Sequence, residues 1–148
     1  MPEKRTIERA RTAKRQGKSP STQAGAFVHE EIEHIREGQH GARSAKQAIA
    51  IGLSKARRAG VKLPPPPKSA SERTKRSAKR DSAKAGKATK PSAARSRAAM
   101  QALKDEPKVA ASHEALSRHA KAAARRRPAK ARKAAARKAA RTRARREG

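Results

Sequence analysis

Residues 44–60 read SAKQAIAIGLSKARRAG, and their pattern predicts one short helix with a face of small side chains. Ser44 and Gln47 have the spacing of a capping box, in which each side chain can bind a free amide of the first helical turn. Lysine and arginine crowd the last turn, where the helix dipole favours cations, and Gly60 supplies a stop. Gly52 costs about 1 kcal/mol relative to alanine in a helix interior, so a close helix–helix approach would explain its presence.

A second helical pattern precedes this one. Val28, Ile32 and Ile35 recur at i, i+4 and i+7 beside Phe27, and Gly38 follows as a C-terminal stop. The prediction is a mostly α fold built on a small helical hairpin at about residues 21–60. A further N-terminal helix over residues 3–16 could pack on it through Ile7, Ala10 and Ala13.

The chain changes character at the four prolines of residues 64–67. Residues 1–63 hold 14 basic and 6 acidic residues (net +8), whereas residues 64–148 hold 27 and 6 (net +21). Consecutive prolines favour a stiff polyproline II segment because each ring fixes φ and removes an amide donor. We therefore expect a helical head over residues 1–63, a polyproline spacer at 64–67 and a polycationic tail over 68–148.

The tail has few side chains that could form a core. The chain has one Phe, no Trp and no Tyr, and most of its 34% hydrophobic residues are alanines. Burying a Leu or Phe contributes about 1.5–3 kcal/mol, whereas ordering the backbone costs about 1–2 kcal/mol per residue. Residues 92–104, 112–127 and 129–146 are rich in helix formers but short and self-repelling. The expectation is a largely disordered Ala/Lys/Arg-rich tail with helix-forming segments.

Several functional classes are disfavoured by what the sequence lacks. It has no cysteine, no stretch near the ~20 apolar residues that span a bilayer, and a charged N-terminus without a following apolar run. It has no Gly-rich phosphate loop, nucleophile elbow or paired-carboxylate pocket. We expect a soluble cytoplasmic protein that is not an enzyme and has no cofactor, no small-molecule substrate and no membrane partner.

Three histidines in the head raise the question of a metal site. His29 and His34 flank three glutamates, superficially like a zinc-protease helix. That chemistry needs histidines at i and i+4, whereas these are at i and i+5, about 140° apart around a helix. The expectation is that His29, His34 and His40 are ordinary surface residues and bind no metal.

The excess of cations points to nucleic acid. A net charge of +29 attracts any polyanion, and lysines and arginines that replace condensed counterions on closely spaced phosphates gain affinity from the release of those counterions. The predicted binding residues are the basic blocks of the tail and the basic end of the second hairpin helix: Arg125, Arg126, Arg127, Lys130, Arg132, Lys133, Arg137, Lys138, Arg141, Arg143, Arg145, Arg146, Lys55, Arg57 and Arg58.

Duplex DNA is favoured over RNA because single strands are usually bound by stacking on aromatics, and only Phe27 is available. Two alternatives stay open: an RNA-binding or ribosome-associated accessory protein, and a protein-interaction module that the basic tail localises. Weak self-association through the head is a further alternative, with the interface formed by its large apolar side chains, Phe27, Val28, Ile32, Ile35, Ile49 and Leu53.

Residues 46–60, KQAIAIGLSKARRAG, resemble the box that defines a bacterial family of small basic proteins of unknown function, and residues 29–41 resemble the segment that precedes it. The resemblance covers about residues 19–67. It implies a bacterial source but no mechanism, although members are sometimes described as DNA-binding or histone-like, so the expected nucleoid-associated role rests on charge. In composition the tail resembles the tails of linker histones and of basic bacterial nucleoid proteins.

Overall fold

The computed structural model describes residues 2–87 and 92–147, and within them the chain is helical with no strand. By contacts it groups into two units, residues 1–112 (unit 1) and residues 113–148 (unit 2). The elements, in chain order, are α1 (Lys4–Arg15), α2 (Pro20–Arg36), α3 (Ala45–Arg58), α4 (Glu72–Ala83), α5 (Ala93–Lys104), a short 3-10 helix (Lys108–Ala111), α6 (His113–Arg125) and α7 (Ala129–Glu147).

The α2–α3 hairpin lies where the sequence places it, and its ends use the expected signals. Ser44 caps α3, because its hydroxyl accepts a hydrogen bond from the Gln47 amide (3.2 Å). The side-chain oxygen of Gln47 accepts a hydrogen bond from the backbone amide of Arg43 (2.7 Å). Gly38 and Gly60 end α2 and α3 with φ of 79° and 91°, in the left-handed region that glycine adopts without strain.

Gly52 marks the closest approach of the two hairpin helices. A Cβ built there would lie 2.7 Å from the Cα and 3.0 Å from the backbone nitrogen of Val28 on α2. These are backbone atoms, which cannot move aside like the end of a flexible side chain. The expected packing role of Gly52 is therefore confirmed.

Unit 1 contains two small apolar clusters, one at each end of the hairpin. The first surrounds the fully buried Phe27 and contains Ala10, Ala24, Ala56 and Val61, with Ile7, Leu53 and Leu63 packed against it. The second surrounds the fully buried Ile35 and contains Ala42, Ala48, Ala110 and Ala111, with Ile32 packed against it. The expected N-terminal helix is present as α1, and Ala10 on its inner face is buried.

The expectation of a largely disordered tail over residues 68–148 is wrong, and α4 shows one reason. Ser71 caps this helix through the Thr74 amide (3.2 Å), and Ala78 is buried. Asp81 then ties α4 to α3, because its carboxylate accepts a hydrogen bond from the Ser54 hydroxyl (2.7 Å) and lies 3.4 Å from the Arg58 guanidinium. Polar anchoring and one small side chain replace the large apolar residues that α4 lacks.

The segment that follows α5 is also held against the hairpin. The amide of Gly41 donates to the carbonyl of Leu103 (2.7 Å), and the amide of Ala42 donates to that of Pro107 (3.0 Å). Arg36 reaches the carbonyl of Ala111 from α2 (3.1 Å). Backbone pairing therefore brings two alanines of the 3-10 helix into the core around Ile35, which a search for large apolar side chains could not reveal.

In unit 2 the chain is helical rather than disordered for a different reason. The segments predicted to form helices only weakly are α6 and α7, and every residue from 129 to 146 is exposed, so packing does not hold α7. Ala, Arg and Lys have the highest intrinsic helix propensities, and no Gly or Pro interrupts residues 129–147. This propensity outweighs the repulsion between like charges that the sequence interpretation had emphasised.

The proline run does not divide the structure into its two units. α4 packs on α3 across residues 64–67, so these prolines connect two elements of unit 1, and the division comes after Ser112. Across residues 2–87 and 92–147, no helix combines the length and the apolar character needed to cross a membrane.

Two glycines on the hairpin give a matched test of its packing. Gly52→Ala should lower the free energy of unfolding by about 1–2 kcal/mol, because overpacking against the Val28 backbone outweighs the gain in helix propensity. Gly25→Ala, at an exposed position of α2 with no atom within 4 Å of the new Cβ, should instead raise it by about 0.5–1 kcal/mol. Urea unfolding followed by circular dichroism measures both; stabilisation by Gly52→Ala would contradict the close approach.

Candidate functional site

The basic residues of α7 are concentrated on one side of the helix. The helix carries nine of them in 19 residues. At about 100° per residue, six fall within an arc of about 140°. We call this set the α7 stripe: Lys130, Lys133, Arg137, Lys138, Arg141 and Arg145. The other three, Arg132, Arg143 and Arg146, lie on the opposite side.

No described carboxylate pairs with the α7 stripe. All nine basic residues of α7 are exposed, and none of the ion pairs in the described part of the chain involves them. Unit 2 holds 14 basic and 2 acidic residues, a net charge of +12. This arrangement leaves an extended cationic surface open to an external anion.

The basic surface of unit 2 also includes residues that the sequence interpretation missed. Arg118 and Lys121 are exposed on α6 and share a face with the predicted Arg125, at i, i+3 and i+7. Their spacing is visible in the sequence, but both residues lie outside its densest basic blocks. Arg126 and Arg127 are exposed in the short link between α6 and α7.

The three predicted binding residues on α3 are engaged within unit 1. Lys55 is 19% exposed at its side chain, with its ammonium 2.5 Å from the carboxylate of Glu31. Arg57 donates to the carbonyl of Pro64 (3.4 Å). Arg58 donates to the Ser54 hydroxyl (2.8 Å) and lies beside Asp81. The structure does not bring these three together with the basic residues of unit 2 in one unit.

Glu31 is the most deeply buried charged group of unit 1. Its side chain is 1% exposed; one carboxylate oxygen, Oε1, lies 3.2 Å from Nε2 of His40, and the other, Oε2, faces Lys55. Both contacts fall within ion-pairing distance, yet neither oxygen accepts a hydrogen bond of good geometry from the described residues. The carboxylate thus contacts α3 and the turn after α2 from its place on α2, but both of its oxygens still lack a well-directed hydrogen bond.

Two histidines gather around this carboxylate. His34 follows Glu31 by three residues on α2, which places both on one face of the helix, and the turn at Gly38 brings His40 back towards them. The rings of His34 and His40 are edge-to-face with centroids 6.4 Å apart. One ligand atom from each of Glu31, His34 and His40 lies within 4.8 Å of the others.

The expectation of ordinary surface histidines is wrong for two of the three. His29 is exposed, but the His40 side chain is only 5% exposed and that of His34 is 14% exposed. His29 and His34 lie on one helix, α2, but His29 is not part of the cluster. The cluster instead pairs His34 with a residue beyond the end of α2, so only the fold reveals it.

The apolar side chains proposed as a dimer interface are used inside unit 1. Phe27 and Ile35 are fully buried at the centres of the two clusters, and Ile32 and Leu53 pack against those clusters. These four side chains are therefore covered while the hairpin is closed, whereas Val28 and Ile49 are half-buried.

Comparison with known proteins gives one match. Residues 11–69 match a protein family described as a family of unknown function, DUF6496. The match covers α2, α3 and the end of α1 from residue 11 onwards, and it confirms that this segment resembles a family of unknown function. No curated protein and no solved structure matches the chain.

The two lysines of α3 should contribute differently to stability, because Lys55 faces the buried carboxylate of Glu31 and Lys46 does not. Lys55→Gln should lower the free energy of unfolding by about 3 kcal/mol, because it leaves Glu31 buried with His40 as its remaining partner. Lys46→Gln removes the same charge from an exposed position of the same helix and should change stability by less than about 0.5 kcal/mol. Urea unfolding of both variants measures the difference, and equal effects would show that the Glu31 pair contributes nothing.

Proposed function

We propose that the protein is a non-enzymatic, sequence-nonspecific binder of double-stranded DNA that acts by neutralising phosphates. The observation that carries this proposal is the α7 stripe, an exposed row of lysines and arginines that no ion pair among the described side chains engages. The binding residues are the basic side chains of α7, together with Arg125, Arg126 and Arg127 and the two further basic residues of α6, Arg118 and Lys121.

The dimensions of α7 suit a duplex backbone. Its 19 residues extend about 28 Å, a length over which a DNA duplex carries about 17 negative charges. Lys and Arg side chains along the helix would replace condensed counterions, whose release supplies most of the affinity in nonspecific binding. Because the helix is already formed, binding does not have to order this backbone.

The composition of α7 supports contact with phosphates rather than reading of bases. Between its cations the helix presents mainly alanine, and it has no Asn or Gln, the side chains that pair with adenine. Its one hydroxyl residue, Thr142, donates to the carbonyl of Lys138 within the same helix (3.0 Å). Arginine can bind guanine, but a stripe of repeated Arg and Lys has no element that distinguishes one sequence from another.

The lack of an exposed Phe, Tyr or Trp favours duplex DNA over single-stranded nucleic acid as the partner. Unit 2 has no Phe, Tyr or Trp, and Phe27, the one such residue of the chain, is fully buried in unit 1. Stacking of unpaired bases on the protein therefore has no exposed platform. Such a protein would coat and compact duplex DNA and would be associated with the bacterial nucleoid, consistent with the compositional resemblance of residues 113–148 to histone-like tails.

Two triple variants of α7 separate geometry from net charge. Arg137→Gln, Arg141→Gln and Arg145→Gln together remove three charges from the α7 stripe. Arg132→Gln, Arg143→Gln and Arg146→Gln remove the same three charges from the opposite side. The stripe variant should reduce the slope of log K against log salt by about 2.7 and weaken binding more than the matched variant, as phosphate contacts are lost.

The measurement is a titration of fluorescent duplex DNA at several salt concentrations, with unlabelled duplex DNA or structured RNA as competitor. Equal losses in the two variants would show that net charge alone acts, without a preferred face. Stronger competition by RNA would favour the alternative of an RNA-binding accessory protein. Salt-insensitive binding, or strong preference for one DNA sequence, would contradict phosphate neutralisation altogether.

A further inference from the structure

We propose that Glu31, His34 and His40 form a binding site for one Zn²⁺ ion in unit 1. Two imidazole nitrogens and one carboxylate oxygen are a donor set that zinc binds in proteins, with water in the remaining position. The three ligand atoms lie within 4.8 Å of one another, and two of the three side chains are at least nine-tenths buried. The proposal is independent of DNA binding, which we assign to unit 2.

The orientation of His40 is the first argument. Its Nδ1 lies 3.0 Å from the carbonyl oxygen of Gly41, which can only accept a hydrogen bond. Nδ1 therefore carries a proton, and in the neutral ring Nε2 presents its lone pair. This is the arrangement found in metal-binding histidines, where a backbone carbonyl often holds the second ring nitrogen and fixes the tautomer.

The surroundings of Glu31 are the second argument. Nε2 of His40 faces Oε1 of Glu31 at 3.2 Å in a buried space, with no other described side chain at that oxygen. Neither oxygen of Glu31 accepts a properly directed hydrogen bond within the part of the chain that the structure describes. A metal ion between these atoms would give each of them a ligand bond in place of a poorly directed contact.

The distances suit a small dication. Ligand atoms 2.0–2.2 Å from a tetrahedral zinc ion lie about 3.3–3.5 Å from each other. The 3.2 Å separation of His40 Nε2 from Glu31 Oε1 lies just below this range. His34 is the least buried of the three, at 14% exposure, and its ligand atom lies within 4.8 Å of the other two, so a shift of up to about 1.5 Å completes the set.

Lys55 is the competitor of the metal. Its ammonium holds Oε2 of Glu31, and a buried site that kept both Lys55 and zinc would carry an uncompensated positive charge. The lysine side chain is 19% exposed, so its ammonium can withdraw towards solvent when zinc binds. Zinc and Lys55 should therefore act as alternative counter-ions of the same carboxylate.

The test is calorimetric titration of Zn²⁺ into the chelator-treated full chain without nucleic acid, in parallel with thermal unfolding. The expected result is one ion per chain and a rise in the unfolding midpoint, because the ion binds only the folded cluster. Glu31→Gln, His34→Asn and His40→Asn should each weaken zinc binding at least tenfold. His29→Asn, at an exposed position of the same helix, should leave binding and the shift of the midpoint unchanged.

Two readouts keep the proposal falsifiable. If His40→Asn fails to fold, His34→Asn replaces it, because that side chain is more exposed and contributes less to packing. Lys55→Gln should bind zinc more tightly than the natural chain, whereas a merely structural role of Lys55 would not increase zinc affinity. Absence of saturable zinc binding, or equal affinity in the natural chain and His34→Asn, would overturn the site.

Discussion

The excess of cations over carboxylates is the constraint on which the rest of the structure depends. The chain has 41 lysines and arginines but only 12 aspartates and glutamates, and ten of these acids lie in unit 1. There they connect elements: Glu31 joins α2 to α3, Asp81 joins α3 to α4, and Glu106 reaches Arg43 at 3.7 Å. Unit 2 is left with two acids against 14 basic residues, so most of its cations have no carboxylate of their own unit to pair with.

Unit 1 compensates in a second way for its shortage of large apolar residues. Glycine and alanine at the contact surfaces let the backbones come close, as Gly52 does against Val28. A Cβ on Gly41 would overlap the backbone of Glu106, so the chain from α5 to the 3-10 helix is also packed against a glycine. Close backbone approach lets alanines contribute to a core in which Phe27 and Ile35 are the only large apolar side chains that are fully buried among the described residues.

The sequence predicted the hairpin well because its signals are local. The Ser44 cap, the glycine stops and the i, i+4, i+7 spacing on α2 each act within a few residues, and each is present in the structure. The ordered region after the prolines was missed because its anchors are non-local: Ser54 with Asp81, and Gly41 with Leu103. Such pairs leave no periodic pattern in the sequence.

The two candidate sites also differ in whether local sequence signals reveal them. The α7 stripe could be predicted, since it follows from composition and from the 3.6-residue period once residues 129–147 are taken as a helix. The cluster of Glu31, His34 and His40 could not, because His40 joins it only after the turn at Gly38 reverses the chain. Lys55 was predicted to bind nucleic acid from its charge, whereas the fold directs it to a buried carboxylate.

The central claim is that the carboxylates of unit 1 connect its own elements, whereas unit 2 offers its exposed cations to DNA. Hydrogen–deuterium exchange of the full chain, with and without an excess of a duplex of mixed sequence, tests this claim most directly. The account predicts slower amide exchange in α6 and α7 on adding DNA, with α2 and α3 unchanged. Protection confined to α2 and α3, with no change in residues 113–147, would contradict it.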